Sequence, residues 1–335
     1  MQRRQVLALL AVPVTGLVAG CGSGGGTETS TGTETPTGTE TQSPIPTATP
    51  TPTETETPTE TETATPGGPE REGNAAIAEV QKTLDSVVAT YGGADSDSLL
   101  GTDASSAAEF PSQRIDNALD EAETELETAR ERVVTREQER TVERLAVTIR
   151  FLDLATQLQI ALGNAFFALD RARAALDREE GDEARDDLQR MENERRVAAP
   201  ILEQVRTETN AASVSVIDSI DAATYEAKVA QFDAEIGTMG RLRPHAEALS
   251  RAVDRLQTAR QQDANNSDNA AETASRAADE LESVAESLRT VLDEMSDDAA
   301  SLRPITTRLA EMAATKAQAA REIAGEATAT PTPSE

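Results

Sequence analysis

Tryptophan is absent from these 335 residues, and there are only two tyrosines and five phenylalanines. A core built without large rings packs Leu, Ile, Val and Ala, which suits closely spaced helices better than a sandwich or a barrel. Histidine and cysteine occur once each, as His245 and Cys21. A single copy of each excludes a His–Cys metal cluster, a two-histidine zinc site and an intrachain disulfide. His245 follows Pro244 at an expected helix start, close to Glu247, and reads as an exposed residue rather than a general base. There is no phosphate-cradling glycine loop and no dinucleotide fingerprint. The sequence therefore implies no cofactor, no bound metal and no catalytic residue, and it is read as a non-enzyme. Lysine is nearly missing as well: only Lys82, Lys228 and Lys316 are present, against 28 arginines.

What the chain has in excess is negative charge. Sixty Asp and Glu against 31 Lys and Arg give −29. Such a surface repels phosphate backbones, which excludes nucleic acid as a partner. It also repels itself at low salt, and that repulsion largely vanishes at molar salt, where the Debye length is roughly 3 Å. This acidic, lysine-poor, arginine-retaining composition resembles that of haloarchaeal proteins.

The first 21 residues, MQRRQVLALLAVPVTGLVAGC, place two arginines before an uncharged run that stops at the cysteine. The 15 residues from Val6 to Gly20 would rise about 22 Å as a helix, short of the roughly 30 Å hydrocarbon core, and Pro13 and Gly16 weaken the span further. A basic start, a short apolar stretch and small residues before a cut site describe a signal peptide. Val18-Ala19-Gly20-Cys21 resembles the lipobox of prokaryotic lipoproteins. That resemblance implies that residues 1–20 are removed and that Cys21 becomes the lipid-bearing first residue. Arg3-Arg4-Gln5-Val6-Leu7 resembles the core of twin-arginine export signals, with Gln2 in place of the usual preceding Ser; the resemblance implies export of an already folded chain. Cleavage would remove Arg3 and Arg4, taking the charge from −29 to −31.

Residues 21–69 are expected to be a disordered linker. Between Thr27 and Pro66 there are 18 Thr, seven Pro and seven Glu, with no basic residue. Nothing apolar alternates with the threonines, so no strand can bury a face, and the prolines and like charges oppose packing. In an extended state the stretch would reach roughly 120 Å. This describes a stalk, either glycosylated on its threonines or plainly flexible. Residues 327–335 repeat its composition and read as a disordered tail.

Residues 70–326 carry apolar residues at intervals of three and four with sparse Gly and Pro, the signature of helices. Expected helices cover about 74–90, 112–133, 135–178, 182–207, 222–236, 244–260, 269–295 and 304–323. Thr135 and Gln138 offer a capping box; Asp182 offers another cap, and Pro200 should kink or divide its helix. Residues 154–169 carry no charge, which predicts a helix enclosed by others and marks the candidate core centre. Thr156, Gln157, Gln159 and Asn164 interrupt that stretch; they either satisfy backbone and one another, or line a ligand groove. The fold expected is all-α: an antiparallel bundle of about six to eight long helices, with room for two sub-bundles. Leu242-Arg243-Pro244 and Leu302-Arg303-Pro304 hint at a duplicated hairpin. Seven acids between Asp177 and Asp187 crowd one turn and read as solvated surface rather than a calcium loop, because Gly181 is misplaced for an EF-hand. Asn265-Asn266-Ser267 is an N-glycosylation acceptor, placing Asn265 in an exposed loop.

These features describe a lipid-anchored protein on the outer face of a cell membrane, with a binding or scaffolding role. The alternative is a solute-binding lipoprotein of a transport system. The implied partners are the membrane, through Cys21, and an envelope protein. No small-molecule ligand is indicated.

Overall fold

Apolar side chains at helical spacing need a neighbour on one face, and the chain supplies it by folding back on itself repeatedly. In the computed structural model, which describes residues 67–93 and 98–325, the order is α1 (Gly68–Gly92), α2 (Ser112–Arg132), α3 (Arg136–Asp177), α4 (Gly181–Glu208), the short α5 (Ala211–Val214), α6 (Ala222–Ala264), α7 (Ala270–Asp293) and α8 (Arg303–Ile323). There is no strand among the described residues. The linker, the signal segment and the tail from residue 326 lie outside them.

Polar links fix the directions. Gln138 at the start of α3 donates to the Glu70 carbonyl (2.8 Å), and Tyr91 at the end of α1 donates to the Ala155 carbonyl (3.2 Å). Thus α1 runs parallel to the first half of α3, with α2 returning between them. The ion pairs Arg150–Glu208 (2.7 Å) and Arg171–Asp187 (2.9 Å) set α4 antiparallel to α3. Arg243–Glu192 (3.4 Å) and Arg206–Asp233 (2.9 Å) set α6 antiparallel to α4. Arg255–Glu280 and Arg241–Glu294 then align α7 against α6, and Arg321–Glu282 (2.7 Å) aligns α8 against α7. The result is an antiparallel bundle. The α1–α2 hairpin covers one end, α7–α8 the other, and one continuous apolar core runs through α3, α4 and α6.

At 42 and 43 residues, α3 and α6 are about 63 Å long. The expected capping box is present at Thr135 and Gln138. The division expected between two helices at residues 237–243 is absent, because α6 runs through Gly237, Gly240 and Pro244. Likewise α4 runs through Pro200. Both prolines face solvent. On a solvent-facing side water can serve the carbonyl that a proline leaves without its donor, so the helix continues. Glu180, not Asp182, occupies the start of α4, and Asp182 lies inside the first turn. Helix α1 begins at Gly68, because Pro69 suits a first turn and supplies its fixed φ. The Leu-Arg-Pro echo carries no duplication. Pro304 opens α8 whereas Pro244 sits mid-helix, and Arg303 instead closes α7 by donating to the Leu292 and Met295 carbonyls (3.2 and 3.1 Å).

Candidate functional site

The strongest electrostatic anomaly inside the bundle lies under the connection from α1 to α2. Residues 98–111 form two 3₁₀ turns, Leu99–Gly101 and Ala104–Ala108, and cross the bundle as a strap. Leu99 and Ala104 point into the core. Four side chains from two helices hold the strap's backbone: Lys228, Gln231 and Glu235 of α6 and Gln159 of α3. Lys228 Nζ of α6 donates to the Thr102 carbonyl (2.5 Å) and to Gln231 Oε1 (3.1 Å). Glu235 Oε1, two turns along α6, accepts from the Ala104 N–H (3.0 Å) and from the Ser301 hydroxyl (2.8 Å). Gln159 of α3 donates to the Asp103 carbonyl (2.5 Å). Tyr91 donates to Gln159 Oε1 (3.3 Å), and its own carbonyl accepts from the Thr102 hydroxyl (2.6 Å).

Lys228 and Glu235 have no exposed surface. Removal from water pushes the Lys228 ammonium down to about 7, against the pull of the Glu235 and Asp103 charges. The same desolvation pushes the Glu235 carboxyl up to about 7, opposed by the Ala104 and Ser301 hydrogen bonds and by Lys228. Burial also raises the Tyr91 hydroxyl. The ammonium sits over the Phe232 ring (4.6 Å to the centroid) and the Tyr91 ring (5.2 Å), where the ring faces partly replace water. Glu235 Oε2 is buried without a hydrogen-bond partner. A lysine near neutrality can act as a nucleophile or base. Here, however, its protons point at the Thr102 carbonyl and at the side-chain oxygens of Gln231 and Gln159, and the strap lies between it and solvent, so the arrangement holds backbone in place.

The acidic turn between α3 and α4 is more heavily paired than the sequence suggested. Glu179, in a left-handed conformation (φ 64°), receives Arg260 and Lys316 (2.9 Å). Asp187 is 3% exposed at its side chain and is clamped by Arg171 (2.9 Å) and Arg190 (2.6 Å). Further along α4, Glu192 is held by Arg195 (2.8 Å), Arg196 (2.6 Å) and Arg243 (3.4 Å), and these hydrogen bonds lower it to about 2. Among the described residues no group of three or more His, Cys, Asp or Glu is arranged to hold a metal ion.

The uncharged stretch of α3 is enclosed on every side but one. Leu154, Ala155, Leu158, Leu162, Ala165 and Leu169 are buried. Between Asp153 and Arg171 the exposed residues are Gln157, Ile160, Asn164 and Phe167, a single row at helical spacing. Phe167 is 58% exposed and Ile160 39%. This corrects the expectation of a fully enclosed helix, and it moves Phe167 from the core to the surface. Helix α3 is long and apolar enough to cross a membrane by composition, but 67% of its apolar window is buried in the bundle. The polar interruptions divide: Thr156 donates to the Leu152 carbonyl (2.8 Å) and Gln159 joins the strap network, while Gln157 and Asn164 face solvent. Val197 of α4 is 52% exposed. The Arg150–Glu208 and Arg171–Asp187 pairs set Ile160 level with Ala198 along the two helices, so Val197 lies at the height of the same row.

Comparison with known proteins returns no matching family, no matching curated protein and no matching solved structure.

Of the residues singled out from sequence, Arg3, Arg4, Val18, Ala19, Gly20 and Cys21 lie outside the described residues. Asn265 is the exposed C-terminal cap of α6, followed by Asn266 at φ 52°. His245 lies within α6, half-buried beside an open depression shared with Arg241, Thr290 and Val291. The sequence reading missed Lys228 and Glu235. A signal existed: Lys228 falls between Tyr225 and Phe232 in the apolar row of α6, and it is one of only three lysines.

Proposed function

We propose that this chain is a lipid-anchored protein of the outer membrane face whose helical body binds or scaffolds another envelope component. Residues 1–20 act as a twin-arginine signal ending in the Val18-Ala19-Gly20 lipobox, Cys21 carries the lipid, and residues 21–69 act as the spacer. One structural observation favours binding over chemistry. Two strongly perturbed ionisable groups, Lys228 and Glu235, are sealed beneath the strap and hold its backbone, while the uncharged row on α3 faces outward. Recognition through a helix row is a usual mode for such bodies.

The test is fractionation of the producing cells under native salt. The wild-type chain is expected in the membrane fraction, with a mass gain on the peptide beginning at residue 21. Cys21→Ser should move it to the medium or leave it unprocessed. Arg3→Lys with Arg4→Lys should retain it inside the cell. Membrane association unchanged by Cys21→Ser would defeat the anchor assignment.

A further inference from the structure

The row Gln157, Ile160, Asn164 and Phe167 extends about 15 Å along α3 with no charge, on a chain that carries −29. Its two ends differ in sign. Asp153 closes one end and Arg171 the other. Both already have partners within the chain: Arg150 reaches Asp153 Oδ2 (2.9 Å) and Gln157 donates to Asp153 Oδ1 (2.8 Å), while Arg171 reaches Asp187 (2.9 Å) and lies over the Phe167 ring (5.1 Å). Their side chains nonetheless keep 41% and 44% of their surface open, so each can take a further partner from outside.

Asp153 and Arg171 are equally far from the midpoint of the row, which falls at Leu162. The pairs Gln157 with Phe167 and Ile160 with Asn164 flank almost the same point. A two-fold axis through that midpoint would therefore lay α3 antiparallel on α3 of another molecule. Each Asp153 would face the other copy's Arg171, and each Ile160 the other copy's Asn164. This is the self-complementarity an isologous contact requires. A partner presenting a purely apolar surface would cover these half-open charges without bringing an opposite charge, whereas a second copy brings one to each.

We propose that this face is the site where two copies of the chain associate, antiparallel along α3. The proposal rests on the preceding reading only in taking the outer row as the binding surface; it does not need the lipid. One helix row is smaller than the roughly 800 Å² per partner of a standard interface, so the association is weak. It is also salt-dependent, because two strongly acidic bodies approach only when their repulsion is screened.

The experiment uses the full chain carrying Cys21→Ser, so that an added thiol is the only one. An equal mixture of Ile160→Cys and Asn164→Cys chains, whose thiols the two-fold arrangement sets face to face, is expected to give a disulfide-linked dimer under mild oxidation at molar salt, with much less at 0.1 M salt and less from either chain alone. Ser86→Cys, on the exposed side of α1, should stay monomeric. Asp153→Arg or Arg171→Asp alone should lower the cross-linked fraction about fivefold, as expected for two weak exposed pairs lost at once. The double reversal should restore it, with helicity by circular dichroism unchanged throughout. Equal cross-linking of Ser86→Cys, no dimer from the Ile160→Cys and Asn164→Cys mixture at any salt, or no restoration by the double reversal would each overturn the proposal. So would capture of a different envelope protein by the Asn164 thiol with no self-linked product. Because Cys21→Ser is built into every sample, failure here and failure of anchoring are read separately.

Discussion

At the scale of single residues, two glutamates in one protein are displaced in opposite directions, and their pH signatures are opposite too. Glu192 is held to about 2 by its arginines, below the ordinary 4.5. Its contribution is complete above about pH 4.5 and is lost as pH falls toward 2. Glu192→Gln should therefore cost on the order of 2 kcal/mol near neutrality and almost nothing at pH 2. Glu235 is raised to about 7. The fold favours its protonated form, so stability from this group is complete below about pH 4.5 and declines as pH rises to 7. Glu235→Gln should leave stability nearly unchanged at pH 4 and raise it by on the order of 2 kcal/mol at pH 8. Denaturant titrations at fixed salt, wild type against variant across this range, measure both; a Glu235→Gln difference that does not change with pH would contradict the assignment. Gly92 poses a steric case. A Cβ there would lie 2.7 Å from the Ser98 carbonyl oxygen and 3.0 Å from its nitrogen. Backbone cannot turn aside as a side-chain tip can, so Gly92→Ala should destabilise by about 1–3 kcal/mol despite alanine's better helix propensity. A thermal melt decides it.

At the scale of elements, the strap from residue 98 to 111 depends on helix side chains more than on its own turns. Lys228→Met removes a buried charge and fills similar space, so the core itself should change little. The Thr102 carbonyl loses its 2.5 Å donor, however. The expected outcome is faster hydrogen exchange at the amides of residues 102–106, by about tenfold, with exchange in the middle of α3 unchanged. Equal acceleration in both places would mean that Lys228 supports the whole bundle. These elements also show what periodicity can and cannot reveal. The span of α3 was legible from Thr135, Gln138 and its apolar rhythm, because caps and rows are local. The continuity of α6 was not, because whether Pro244 and Gly240 end a helix depends on which side faces water, and that is set by α4 and α7. The burial of Lys228 was legible only from its place in the apolar row of α6; what covers it was not, because the strap comes from a segment more than 100 residues earlier. The exposed Phe167 went unseen because an uncharged stretch reads the same whether one row or none is left uncovered.

At the scale of the whole molecule, arginine organises the surface. Arg150, Arg171, Arg185, Arg206, Arg241, Arg243, Arg255 and Arg321 each bridge two helices. The planar, forked guanidinium suits it to serving two carboxylates at once, which a lysine ammonium does less well. The excess of acids still leaves −29 to be screened. The thermal midpoint should therefore rise as salt goes from 0.1 M to 2 M, steeply at first, as the Debye length falls from about 10 Å. A midpoint independent of salt would show that the paired arginines already neutralise the field that matters.

The polar links at the two extremes of α3 have a mechanical consequence. Glu70 is tied to Gln138 at one end of that helix, and Lys316 is tied to Glu179 just beyond the other, so the ordered body is entered at one end and left at the opposite one, about 60 Å away. Tension between residues 68 and 323 would run along the helix axes. It would load the packed rows in shear, all together, instead of peeling one helix at a time. A body threaded in this way behaves as a strut, and a pull at residue 68 reaches the Asn265 turn at the far tip without first opening the core.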